Sequence, residues 1–391
     1  MKREVLALFG GSFDPITNAH ISVIRELSAR FCEVVVMPSH VSPFKREMET
    51  ASDEVRFNLI NECCKDYKNV TVSDYELKNG KVSYSYNTVQ HFKEQGKTVY
   101  FTIGSDMLAD LNKWKNVEYL KQNTVFYVVK RPYFEIDESV LQQRTNEGFK
   151  IEIAPFIGEE GSSSLLKVAV AFDKAREIVP KNVAKYVKDN NLYCQYKTIV
   201  DKYPLFKMKD SRIRHTYSVA KESIILAKTH HLDVEKAIRA SLLHDIGKYV
   251  SEEELKAMGI TCSQKINECE DAVKHCYRSL AIARQHLKES DEDVLNAIEN
   301  HTTGRENMSD LEKVVFLADY TEEGRDFDGV DLARKICAKS LDEGMVFALE
   351  KTVEYLKKND KNIDKRTIYA LEFYKKNLKE KENVREQERT I

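Results

Sequence analysis

Apolar positions in the first half of the chain come in short unbroken runs. "EVLALFG", "CEVVVMPS", "TVYFTIG" and "TVFYVVK" are rich in β-branched and aromatic residues and end at turn residues. Such runs predict strands buried on both faces of a parallel sheet. Between them, "AHISVIRELSARF" and "DEVRFNLINECCKDY" space their apolar residues three and four apart, as amphipathic helices do. The alternation predicts an α/β doubly wound parallel sheet whose ligand sits beyond the carboxyl ends of the strands. Near Tyr193 the pattern changes, and from "DSRIRHTYSVAKESIILAKTHH" onward strand-like runs nearly vanish. The second half is therefore expected to be all-α, with domains at 1–194 and 195–391. Aromatics in "NNLYCQYKTIVDKYPLFKMKD" predict a short, packed join, and the highly charged "KEKENVREQERTI" predicts a solvated or frayed tail.

Composition narrows the class. A chain of 391 residues has room for two or three cores, and 42% apolar with 32% charged residues suits a globular protein. Lys+Arg 61 against Asp+Glu 63 leaves no broad basic face, so nucleic acid is not an expected partner. No run reaches the length of a membrane span and the start lacks a signal-peptide core, so no membrane partner is expected either. The eight cysteines, without any C-x-x-C, are expected as reduced thiols, and the expected location is cytoplasmic. A homo-oligomer is compatible with these numbers. Cys262, Cys269 and Cys276 recur every seven residues, but zinc sites use closer pairs, and small residues along a helix face account for the spacing.

Candidate chemistry begins at "LALFGGSFDPITNAH", a strand running into a glycine turn and then a helix. A helix N-terminus favours anions, and Gly10 and Gly11 let main chain approach a phosphate without a Cβ in the way. This is neither a dinucleotide G-x-G-x-x-G nor a Walker A loop. "QGKT" at 95–98 reads as a helix-ending glycine before a strand.

"GGSFDPITNAH" resembles the phosphate loop of the HIGH-type nucleotidylyltransferases, whose (H/T)-x-G-H signature falls on Thr17, Asn18, Ala19 and His20. With "MPSHVSPFK", "SYSYNT", "FTIGSDMLADLNKWKN", "VVKRPYF" and "IVPKNVAKYVKDNNLY", residues 4–193 resemble the nicotinate-nucleotide adenylyltransferases. Phosphopantetheine adenylyltransferases use the same loop, but the "KW" segment and "DNNLY" ending favour the pyridine-nucleotide branch. The resemblance implies a Rossmann-like fold that transfers AMP from ATP, with Mg2+, to nicotinate mononucleotide, giving deamido-NAD and pyrophosphate. It implies that His20 stabilises charge on the α-phosphate, that Thr17 contacts phosphate, and that Lys45 neutralises phosphates. Gly10, Gly11, Ser12 and Phe13 would form the cradle, and Asp106, Trp114 and Arg131 would line the nucleotides. Ser83, Tyr84 and Ser85 would shape the acceptor pocket. Two positions depart from the family pattern. Ala19 stands where the family has glycine, and the I-S-S-T-x-x-R signature is "GSSSLLK", with Ser162, Ser163 and Ser164 but Lys167 for arginine. Lysine keeps the charge without the planar fork. These departures motivate an alternative in which this half is a catalytically weakened nucleotide sensor, the other half then hydrolysing another phosphate ester or signalling nucleotide.

The second half carries His215, His244-Asp245, His275, His301 and Asp319 in chain order. Val294, Ala297, Ile298 and His301 share one helix face, as do Glu312, Val315, Phe316 and Asp319, so the chemistry-bearing residues are expected to point inward. The H…HD…H…H…D order resembles the HD phosphohydrolases. "RIRHTYSVA", "ASLLHDIGK", "ENHTTGRENMSDLEKVVFLADYTEEGRDFDGVD" and "RTIYA" narrow this to the HD-family hydrolases that split diadenosine tetraphosphate symmetrically into two ADP. The resemblance implies two divalent ions, iron or manganese, held by His215, His244, Asp245, His275, His301 and Asp319, with Asp245 bridging and a metal-acidified water attacking phosphorus. It implies that Lys248, Arg305 and Arg325 bind substrate phosphates. His230, His231 and His286 are read as ordinary helix residues.

Overall fold

The computed structural model describes residues 5–40, 51–80, 82–132, 136–159 and 161–389. The chain divides into two compact units, residues 1–166 with 174–193, and residues 167–173 with 194–391. No helix among the described residues is long and apolar enough to cross a membrane.

The first unit is built on six parallel strands: β1 (Val5–Gly11), β2 (Glu33–Pro38), β3 (Val70–Val72), β4 (Thr98–Gly104), β5 (Thr124–Lys130) and β6 (Ile151–Ile157). Their order is β3-β2-β1-β4-β5-β6. The unbroken apolar runs follow from burial on both faces. Leu6 and Leu8 pack with Phe101 and Phe126 on one side, while Ala7, Val34 and Tyr127 pack on the other. The strand order reverses between β1 and β4, and a crevice opens at the carboxyl ends of adjacent strands at such a switch point. Gly10 and Gly11 end β1 there, and Gly104 ends β4. Gly96, at φ +82, follows the helix Ser85–Glu94 and precedes β4, as the reading of "QGKT" requires.

The second unit is helical. Helices Asp210–Thr229, Val234–Leu243, Glu292–Asn300 and Asp310–Thr321 enclose a core that includes Val219, Ala240, Val294, Ile298 and Val315. Tyr196, Tyr203 and Phe206 from the aromatic stretch are buried, and the Tyr203 hydroxyl donates to Leu242 O at 2.7 Å. Two expectations need revision. The charged tail continues as helix to Arg389, although Lys379, Glu380 and Lys381 are exposed as expected. Cys262, Cys269 and Cys276 do not share a helix face, because a 3-10 turn at Gln264–Glu268 interrupts the segment and only Cys276 lies on a helix, Lys274–Ala281.

Candidate active sites

Thr17 is the N-cap of the helix Asn18–Arg30, and His20 occupies its third position. Thr17 Oγ1 accepts from His20 N at 3.4 Å while His20 Nδ1 accepts from Thr17 N at 3.0 Å. Thr-x-x-His is thus a capping box in which imidazole takes the place usually held by Glu or Gln. Since Nδ1 accepts a backbone proton, the neutral ring carries its own proton on Nε2. The cap therefore fixes both the orientation and the tautomer of His20.

The loop before the cap is held by a residue that sequence reasoning missed. Arg56 is 2% exposed; its Nη1 donates to Ser12 O at 2.5 Å, its Nε to Ala51 O at 3.2 Å, and its Nη2 to Asp53 at 2.5 Å. Phe13, at φ +44, sets its ring edge-on to His20 with centroids 5.0 Å apart. Ser163 Oγ donates to Asp14 O at 2.7 Å, and Ser162 Oγ accepts from Leu165 N at 3.3 Å. Ser164 follows on the helix Ser163–Ala171. Ala19 is buried, and a Cβ placed on Gly161 would lie 2.8 Å from its methyl and 3.2 Å from Thr17 Oγ1. The methyl at position 19 thus occupies space left by the absence of a side chain at 161.

At the end of β4, Asp106 pairs with Arg131 at 3.1 Å, and the two lie over Gly104, where a Cβ would meet them at 2.3 and 2.6 Å. Trp114 packs edge-on to Phe101 and Phe126, and its buried indole N–H has no acceptor among the described residues. A cavity of about 370 Å³ is lined by Tyr75, Glu76, Ser83, Tyr84 and His91 among others. Burial pushes the Glu76 carboxyl up, against hydrogen bonds from Thr88 and Ser83. Ser85 begins the helix that forms one wall. Lys45 lies outside the described residues. Lys167 groups with the second unit, where its Nζ is 2.9 Å from Glu235 Oε1.

In the second unit the structure brings all six residues of the histidine and aspartate series together. His215 stands on Asp210–Thr229, His244 caps Val234–Leu243, His275 lies on Lys274–Ala281, His301 caps Glu292–Asn300, and Asp319 sits near the end of Asp310–Thr321. Three imidazoles turn Nδ1 outward: His215 toward Glu322 at 3.1 Å, His244 toward Ser241 O at 2.6 Å, and His301 toward Ile298 O at 2.8 Å. Their Nε2 atoms face one another across the bundle. Potential ligand atoms of His215, His244 and Asp245 lie within 4.8 Å of each other, as do those of His244, His301 and Asp319. His215 Nε2, His244 Nε2 and Asp245 Oδ1 are buried against one another and their neighbours: His215 Nε2 lies 3.1 Å from Asp319 Oδ1, His244 Nε2 3.5 Å from Asp245 Oδ2, and Asp245 Oδ1 3.1 Å from His275 Nε2. Lone pairs converging in a protein interior are costly unless protons or a cation are shared among them.

The electrostatics agree. Burial opposes ionisation of Asp245, but His244, His275 and His301 outweigh it and hold its carboxyl well below the usual range. Asp319 is lowered likewise, against burial, by His215 and Arg325. Burial pushes His244 down, so it stays neutral with its lone pair available. Burial also opposes charge on His275 and His301, yet Cys276 and Asp245 beside them raise both. The acidic groups draw positive charge into a dry space, which protons or a metal ion can supply. Imidazole and carboxylate together suit a first-row divalent ion.

Lys248 Nζ is 3.1 Å from His275 Nε2 and 3.4 Å from Asp245 Oδ1, at the edge of the cluster. The two arginines singled out for phosphate are engaged within the protein. Arg305 forks onto buried Glu312 at 2.8 and 2.6 Å, and Arg325 holds Asp319 through its carbonyl at 2.8 Å and its carboxylate at 2.5 Å. Sequence reasoning missed Glu322, which orients His215, and Arg212, whose Nη1 is 2.7 Å from Asp245 Oδ2. Arg212 precedes His215 by three residues on one helix, a spacing that could have flagged it. Cys276 was set aside with its two companions, yet it alone of the three joins the cluster, grouped with His275 and His301.

A capped glycine turn at the switch point of a parallel sheet, followed by a helical unit with an inward-facing imidazole and carboxylate cluster, places the chain in the class of nucleotidylyltransferase-like folds joined to an HD-type bundle. The cytidylyltransferase-like family model matches residues 8–210 and the HD domain model residues 212–324. The chain belongs to the cytidylyltransferase-like family and carries an HD domain on the same polypeptide. A Mycoplasma genitalium protein named probable nicotinate-nucleotide adenylyltransferase/Ap4A hydrolase is 30% identical over 334 residues, covering 83% of this chain and 89% of that protein. Its namesake from Mycoplasma pneumoniae is 28% identical over 364 residues, covering 91% and 100%. A Clostridium acetobutylicum protein named probable nicotinate-nucleotide adenylyltransferase is 30% identical over 201 residues, covering 49% and 100%.

Proposed function

We propose that the chain is a bifunctional cytoplasmic enzyme with functional domains at 1–194 and 195–391. The first transfers AMP from ATP to nicotinate mononucleotide, releasing pyrophosphate and forming deamido-NAD. The second hydrolyses diadenosine tetraphosphate to two ADP. The observation that carries the reading is the convergence of buried His215, His244 and Asp245 ligand atoms in a unit that follows a capped glycine turn. Relatives matching most of the chain carry both activities in their names.

In the first site two anionic substrates must be aligned and their charge neutralised. His20, fixed by Thr17 with its proton on Nε2, is built to donate a hydrogen bond toward a phosphate oxygen as negative charge grows there. Gly10 and Gly11 leave main chain open to the phosphates, and Asp106 with Arg131 borders the nucleotide end of the crevice. Mg2+ accompanying ATP would offset phosphate charge. Space at Gly161 for the Ala19 methyl weighs against reading the first unit as a weakened sensor.

In the second site His215, His244, Asp245 and Asp319 would hold one ion, with His275 and His301 serving a second, iron or manganese being the fit for mixed nitrogen and oxygen donors. Such ions polarise phosphate and acidify water. Glu322 orients His215, Arg212 steadies Asp245, and Arg325 steadies Asp319. Lys248, at the edge of the cluster beside His275, would meet a substrate phosphate.

The test is a two-substrate panel on wild type, His20→Ala and Asp245→Ala. His20→Ala should abolish pyrophosphate release from ATP and nicotinate mononucleotide while ADP formation continues; Asp245→Ala should do the reverse. Loss of both activities from either folded variant would defeat the two-site reading, and AMP plus ATP as hydrolysis products would defeat the symmetrical cleavage.

A further inference from the structure

Cys276 is fully buried beside the histidine cluster, directly after His275 on the helix Lys274–Ala281. Its Sγ is 3.7 Å from His275 Nε2 and 4.0 Å from His301 Nε2, and those two nitrogens are 3.1 Å apart. His301 donates through Nδ1 to Ile298 O, which leaves its Nε2 turned to the same space. A tetrahedral ion bound at about 2.05 Å to nitrogen and about 2.3 Å to sulfur has N–N edges of about 3.3 Å and N–S edges of about 3.6 Å. The observed triangle departs from that face by about 0.4 Å at most.

We propose that Cys276 is a third protein ligand, with His275 and His301, for the second metal ion of the HD unit. The proposal rests on the reading of the cluster as a metal centre, and it makes the two subsites chemically unlike. His215, His244, Asp245 and Asp319 offer only nitrogen and oxygen, whereas the second subsite adds a soft thiolate. Thiolate shifts preference toward zinc or cobalt over manganese. On binding, the S–H bond breaks and a sulfur–metal bond forms, the proton passing to buffer; no electron is transferred. Thr302 Oγ1, now accepting from the thiol at 3.2 Å, can instead donate its own hydrogen to the thiolate. Lys248 Nζ and Asp245 Oδ1, each 3.1 Å from His275 Nε2, are the neighbours that must make room or join.

The full chain, stripped of metal and titrated with Co2+, provides the test without reference to turnover. A sulfur-to-cobalt charge-transfer band in the near ultraviolet should grow alongside the visible d–d bands. Cys276→Ser should remove the charge-transfer band, keep the d–d bands and weaken binding of the second equivalent at least tenfold, while Cys262→Ser and Cys269→Ser leave the spectrum unchanged. Visible bands in wild type without the charge-transfer band would overturn the thiolate ligand and leave the metal centre standing. Absence of any cobalt spectrum would overturn the metal-centre reading and this proposal with it. Because the wild-type spectrum alone decides between these outcomes, a variant that fails to fold does not block the test.

Discussion

If the methyl of Ala19 fits only because position 161 has no side chain, then the two positions are coupled, and the coupling is measurable. A Cβ at 161 would sit 2.8 Å from the Ala19 Cβ and 3.2 Å from Thr17 Oγ1. Carbon atoms rest at about 3.5–4.0 Å, so one element must move by about 0.7 Å. Both neighbours belong to the cap that orients His20, so the strain falls on the candidate phosphate site. Overpacking of this size costs about 1–3 kcal/mol. With Ala19→Gly the closest contact disappears, and Thr17 Oγ1 at 3.2 Å remains as a minor one. The Gly161→Ala change should then cost under about 1 kcal/mol, giving a coupling of about 1–2 kcal/mol in a double-mutant cycle. The cycle cancels the intrinsic effects of adding or deleting a glycine. The sole tryptophan, Trp114, lies in the first unit, so its fluorescence during urea unfolding reports that unit. Adenylyl transfer should fall about tenfold in Gly161→Ala, through misplacement of His20, and recover in the double variant. Additivity within about 0.4 kcal/mol would refute the argument.

Two further substitutions probe the second unit. Glu322→Gln deprives His215 Nδ1 of its carboxylate partner and should weaken metal binding by about 10–100-fold in competition with a chelator, with little change in helix content. Glu312 is buried and accepts from Asn300 at 3.0 Å, from Ser309 N at 2.8 Å and twice from Arg305; Glu312→Gln should cost about 2–3 kcal/mol, reduced from the figure for a fully buried pair because Arg305 is 39% exposed, and circular dichroism during urea unfolding measures it.

The parts of the fold legible in the sequence were those with a single physical cause. Interior strands β1, β2, β4 and β5 announce themselves because burial on both faces demands continuous apolar residues. The edge strands escaped. β3 is only "VTV", and β6, "IEIAPFI", has polar Glu152 and a proline where one side meets solvent. The histidine and aspartate series was legible because its members recur in a fixed order along the chain, with His301 and Asp319 in step with apolar helix positions. Arg56, Glu322 and Cys276 were not, since their roles arise from approach across the fold: Arg56 reaches Ser12 from 44 residues away, and Glu322 reaches His215 from 107. Ala19 read in isolation as a defect; its meaning depends on Gly161, which no spacing rule connects to it.

The order of the helices in the second unit has a consequence during synthesis. His215 emerges first and Asp319 last, roughly a hundred residues later, which is about 5–20 s of translation. Until then the nascent chain carries imidazoles and Cys276 with no enclosed cluster to occupy them. Any ion captured early would meet an open, flexible set of donors and choose by raw affinity, whereas the finished bundle chooses by geometry. On the metal-centre reading, the order of synthesis thus separates an early capture governed by affinity from a later one governed by geometry.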